Sequence, residues 1–126
     1  MHILPLKCRR YLEERGLNFE EVADGEQKGI VLRGFRLPEG RFNASVADVL
    51  VFLPAGYPDN PPDMFYALPW IQLAVANCYP KAADQPFQFH GQQWQRWSRH
   101  NNTWRPGVDG IWTMLKRVET ALKEAA

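Results

Sequence analysis

Ile111, Leu115, Val118 and Leu122 recur at steps of four, three and four, the repeat of one face of an α-helix. Lys116, Arg117, Glu119, Lys123 and Glu124 fill the opposite face, so Val108 to Ala125 is predicted as an amphipathic helix with Asp109 as its N-cap or first-turn acid. A shorter helix is expected over Pro5 to Gly16, a run of good helix formers with Pro at the start and Gly at the end. Between them the repeat changes to two. Gly29 to Leu37 sets Ile30, Leu32 and Gly34 against Val31, Arg33 and Phe35, and the turn dipeptide Asp24-Gly25 joins it to Asn18 to Ala23 as a hairpin. After the break Pro38-Glu39-Gly40, Ser45 to Leu53 is a third strand, with Val49, Val51 and Leu53 on its more buried face and Val46, Asp48 and Leu50 on the other. Asp63 to Ala67 is a fourth, ended by Pro69-Trp70. Short connections make the four strands an antiparallel meander.

Two segments fall outside this pattern. Pro54 to Pro62 carries Pro54, Gly56, Pro58, Pro61 and Pro62; proline fixes φ and cannot donate to a strand ladder, so this is a rigid loop. From Ile71 to Pro106 no period is evident, and a segment of that length without regular structure in a compact domain is expected to be functional. Internal repeats and low-complexity tracts are absent from the sequence.

Composition narrows the class. The chain has 126 residues, 45% of them hydrophobic, enough for a packed core without disulfide or metal staples, and residues 1–126 are expected to form one domain. The net charge is +1, which argues from the whole-chain balance against a nucleic-acid coat or a polybasic membrane binder. No apolar run approaches the ~20 residues of a membrane span, and the first residues lack the basic-then-apolar signature of a secretory signal. Cys8 and Cys78 are the only cysteines and do not form a C-x-x-C pair, which fits a reducing compartment. A cytoplasmic α+β protein without cofactor or bound metal is the expectation.

The motifs point further. Leu53-Pro54-Ala55-Gly56-Tyr57-Pro58-Asp59-Asn60-Pro61-Pro62-Asp63-Met64-Phe65 resembles the Tyr-Pro-x-x-Pro-Pro loop of ubiquitin-conjugating enzymes, and Trp104-Arg105-Pro106 resembles their Trp-Ser-Pro. Arg41-Phe42-Asn43, Trp94-Gln95-Arg96-Trp97-Ser98-Arg99-His100 and Trp104 to Gly110 are similar to the bacterial branch of that fold, the prokaryotic ubiquitin-conjugating-like family E. The resemblance implies a UBC-like fold and transfer of the C-terminus of a ubiquitin-like protein received from an activating enzyme. It also implies a bacterial, antiphage-defence setting and a JAB-type metallopeptidase in the same pathway. The sequence departs from the pattern at the chemistry: it has no Cys between Tyr79 and Ala126 and no His-Pro-Asn, so thioester formation at the usual place is excluded.

Placed on Trp104, the resemblance brings Ser98 near the position of the missing Cys. A serine hydroxyl needs a base within hydrogen-bond reach, and His100, two residues on, shares a face with Ser98 in extended backbone. Asn101, Asn102 and Arg99 are candidate donors to an oxyanion. Cys78, in Asn77-Cys78-Tyr79-Pro80, is the rival nucleophile, and Cys8 is expected to be inert. His90-Gly91 reads as a turn, with an oxyanion or positioning role as the alternative. Cys8, Cys78, His90 and His100 lack the close spacing of a zinc site. Two other readings stand beside transfer: an inactive scaffold of the same fold that binds the ubiquitin-like protein or the activating enzyme, and a single-stranded nucleic-acid binder stacking bases on Trp94, Trp97 and Trp104 among Arg96, Arg99 and Arg105.

Overall fold

A computed structural model describes residues 3–75, 78–99 and 103–125. Its elements are α1 (Leu6–Glu14), β1 (Phe19–Asp24), β2 (Gln27–Arg36), β3 (Val46–Leu53), β4 (Phe65–Leu68), β5 (Gln85–Phe89), β6 (Gln92–Trp97) and α2 (Ile111–Glu124). The strands form one antiparallel sheet in the order β1-β2-β3-β4-β6-β5.

The expected class and the first four strands stand, but the sheet has six strands rather than four. The extra pair, β5 and β6, lies inside Ile71 to Pro106, the segment that the sequence reading leaves irregular. Phe87, Phe89 and Trp94 lie at strand spacing on either side of His90-Gly91, and these two residues take φ of 50° and 76°, the left-handed geometry of a two-residue hairpin turn. Pro86 is tolerated because β5 is an edge strand. The helix ends also obey local rules: Gly16 closes α1 at φ 68° and donates its N–H to Glu13 O. Asp109 is not the N-cap of α2. Gly110 holds that place, its N–H donated to Thr113 Oγ1, while Asp109 Oδ2 accepts from the N–H of Arg105 at 2.7 Å and Oδ1 from the Thr113 hydroxyl at 3.0 Å. Those bonds, the Arg105 N–H first, hold the Asp109 carboxyl below its ordinary pKa.

Both helices pack on one face of the sheet. Leu12 of α1 and Ile111, Leu115, Val118 and Leu122 of α2 bury against Ile30, Val49, Val51, Phe65 and Trp97. Tyr11 meets Trp112 edge to face at 5.9 Å between the helices.

The other face is covered by the sheet itself. Val31, Leu50, Tyr66, Phe89 and Trp94 form a second buried cluster that no helix residue joins. By strand register the β1–β2 and β5–β6 turns lie at diagonally opposite corners of the sheet, yet the His90 N–H donates to Asp24 Oδ2 at 3.1 Å. The sheet is therefore coiled, the sense of its natural twist, until Phe89 of one edge hairpin lies over Gly29 of the other. A Cβ at Gly29 would stand 2.7 Å from Leu50 Cδ1 and 3.3 Å from Phe89 Cζ, so the roll needs glycine there.

One polar side chain is buried in β6. The Gln95 amide accepts from Ile71 N–H at 2.9 Å and donates to Ile71 O at 3.0 Å and Ala83 O at 2.7 Å. Fully paired in this way, it costs little to bury and fastens the two ends of the 71–83 connection to the sheet.

Candidate functional site

The proline-rich loop is fastened from three directions. Tyr57 shares a hydrogen bond with the Cys8 thiol of α1, at 3.3 Å, and burial lifts its phenol above the ordinary range, so it stays protonated. Trp104 donates Nε1–H to Pro58 O at 2.9 Å. Arg117 of α2 donates to Pro62 O at 3.5 Å and Asp63 O at 3.1 Å. Tyr-Pro-x-x-Pro-Pro and Trp-x-Pro, separate in sequence, are thus one structural unit.

The next residue of that loop, Met64, reaches the end of β6. Ser98 Oγ donates to Met64 Sδ at 3.7 Å, a weak acceptor. The Ser98 backbone is clamped on both sides: its N–H donates to Ala82 O at 3.1 Å, and its carbonyl accepts from the Arg99 guanidinium at 3.0 Å. Arg99 also donates to Lys81 O at 3.2 Å. Ala82 itself holds φ at 57°, in the left-handed region that side-chain-bearing residues enter at a cost. Segments 81–82 and 98–99 therefore fix the Ser98 backbone, and Met64 alone of these residues touches its hydroxyl; Ser98 is half-buried.

Arg99 departs from its expected role. Its guanidinium lies 5.2 Å above the ring of Trp97, which belongs to the helix-facing core, whereas Ser98 meets Met64 beside the other cluster. Successive residues of an extended chain point to opposite faces, so Arg99 holds the Ser98 backbone rather than facing its hydroxyl. His100, Asn101 and Asn102 lie outside the described residues, as does His2.

Cys78 is exposed, its carbonyl accepting from Leu73 N–H at 2.8 Å, and it begins the stretch that ends at Lys81 and Ala82 beside Ser98. Cys8 is buried. His90 is part of the β5–β6 turn and is separated from Ser98 by the length of β6, so it is no part of this site. Among the described residues no cluster of His, Cys, Asp or Glu has the arrangement of a metal site. The three-tryptophan stacking platform expected for nucleic acid is not formed: Trp94 and Trp97 are 1% and 0% exposed, and of the three only the half-buried Trp104 is left.

Sequence reading missed Gln95 and Met64. The alternation that reveals β6 would have put Gln95 on the same inward face as Trp97, a polar residue needing partners; nothing in the sequence alone pairs Met64 with Ser98.

Residues 4–125 of the chain match Prokaryotic E2 family E. No curated protein and no solved structure matches the chain. No helix among the described residues is long and apolar enough to cross a membrane.

Proposed function

The chain belongs to Prokaryotic E2 family E, with the conjugating-enzyme-like role of that family, and from this premise we propose that Ser98 accepts the C-terminal acyl group of a ubiquitin-like protein as an oxyester. The observation that carries this reading is a hydroxyl on a backbone clamped from two sides, half-accessible, with only a thioether as its partner among the described residues. A serine engaged in structure would be tied to a carbonyl or carboxylate; this one is fixed in position and left free to react.

Ser98 Oγ attacks the carbonyl carbon of the activated C-terminus presented by the activating enzyme. The Oγ–C bond forms, the bond to the activating enzyme's leaving group breaks, and the hydroxyl proton passes to His100 as base and on to the leaving group. Attack by an acceptor amine or hydroxyl on the ester carbonyl then forms the new C–N or C–O bond and breaks the Oγ–C bond, and the proton lost by the acceptor passes through the base to Oγ and regenerates Ser98. An oxyester is less reactive than a thioester, so the site depends on donors to the oxyanion. Asn101 is the donor in this reading, and Arg99 acts as a positioning residue through the Ser98 carbonyl.

A second reading rests on one observation, the exposed Cys78 thiol on the same 78–82 stretch. A scaffold of the same fold, binding the ubiquitin-like protein or the activating enzyme without accepting the acyl group, is the third. Intact-mass measurement after incubation with the activating enzyme, the ubiquitin-like protein and ATP separates them. An adduct that resists thiol and yields to hydroxylamine supports Ser98, a thiol-labile one supports Cys78, and binding without adduct supports the scaffold.

A further inference from the structure

A groove of about 550 Å³ opens on the helix side of the β6 end, beyond Arg99, and runs along α2. Its lining is cationic and hydroxylic: Arg99, Lys116 and Arg117 face three threonines, with Glu124 as the one acid. None of the three cations forms an ion pair among the described residues. Burial pulls both guanidiniums below their ordinary pKa, with Asp63 and Asp109 partly offsetting this at Arg117. Arg117 Nη2 is buried without a hydrogen-bond acceptor, an expensive state for a charged group. These are cations kept partly dehydrated and not neutralised.

We propose that this groove binds an acidic, extended segment of a partner polypeptide, its carboxylates met by Arg99, Lys116 and Arg117. The shape favours a chain over a single anion. Thr113 to Glu124 spans twelve residues of helix, eleven steps of 1.5 Å or about 16 Å, the length of about five residues of extended chain. Arg99 and Arg117 already commit donors to backbone carbonyls, so their remaining charge is spread along the groove instead of converging on one phosphate. Glu124, the one acid of the lining, confines the acidic part of the segment to the cationic stretch of the groove. The inference holds whether or not Ser98 is an acceptor.

Fluorescence anisotropy of a labelled six-residue peptide alternating Glu and Ala tests it on the full chain. Binding is expected to weaken roughly tenfold with Lys116→Glu, which replaces an attraction by a repulsion, less with Lys116→Gln, and not at all with Lys28→Glu on β2. Raising salt from about 50 to about 300 mM should weaken it further. Lys116 is exposed, and thermal unfolding checks that its variants fold. Equal affinity for a Gln/Ala peptide, no loss in Lys116→Glu, or displacement by inorganic phosphate as effective as by unlabelled peptide would each overturn the proposal.

Discussion

Replacing Gly29 by Ala tests the rolled sheet. The added methyl would sit 2.7 Å from Leu50 Cδ1, 3.3 Å from Phe89 Cζ and 3.4 Å from Val51 O, so Leu50 must retreat by about 1 Å to reach ordinary contact distance. Leu50 and Phe89 are 0% and 1% exposed and have nowhere open to go. Overpacking of this kind costs about 1–3 kcal/mol, and alanine's smaller loss of backbone entropy returns about 0.5–1. The net expectation is a loss of about 1–2 kcal/mol, or about 3–10 °C in Tm for a domain of this size. Urea unfolding followed by tryptophan fluorescence reads the difference. Leu50→Ala removes the nearer clashing group, so the double variant should be more stable than the sum of the two single losses by about 1 kcal/mol. If Gly29→Ala is as stable as the parent, or the two changes simply add, Phe89 and Leu50 do not crowd Gly29 and the coiling argument is wrong.

Trp104→Phe keeps a ring against Tyr57 but removes the bond to Pro58 O; a loss of about 1 kcal/mol is expected by denaturant unfolding, and none would show that the loop is held elsewhere. Asp109 has a depressed folded pKa, so its contribution to stability is present above the unfolded carboxylate value and lost as pH falls through the folded one. Asp109→Asn should therefore lower Tm at pH 7 and converge with the parent in strong acid; a constant gap would refute the linkage. Ellman's reagent should titrate one thiol quickly, the exposed Cys78, and a second only on unfolding, since Cys8 is buried; two fast thiols would contradict the packing of α1 on the proline-rich loop.

Sequence patterns carried both helices and the first four strands because their apolar residues recur at the helical or strand period between clear turn signals: the α2 stripe and the Val49-Val51-Leu53 row announce their own geometry. They failed for β6, whose run Gln92-Gln93-Trp94-Gln95-Arg96-Trp97 is mostly polar and carries a buried Gln95 where a core strand normally has an apolar residue. Nor does the coiling that closes the outer cluster have a local signature, since Gly29 and Phe89 are joined only by the tertiary roll. Near Ser98, the direction of Arg99 was not legible, because it depends on β6 being a strand whose successive residues face opposite ways.

The measurement closest to the central claim is the chemistry of the adduct formed by a Ser98→Cys variant, set beside Cys78→Ala. If Ser98 is the acceptor, the Cys78→Ala chain still forms a hydroxylamine-labile, thiol-resistant adduct, and Ser98→Cys forms one that thiol releases, because the oxyester has become a thioester. An adduct lost in Cys78→Ala, or one whose lability is unchanged in Ser98→Cys, would contradict the account.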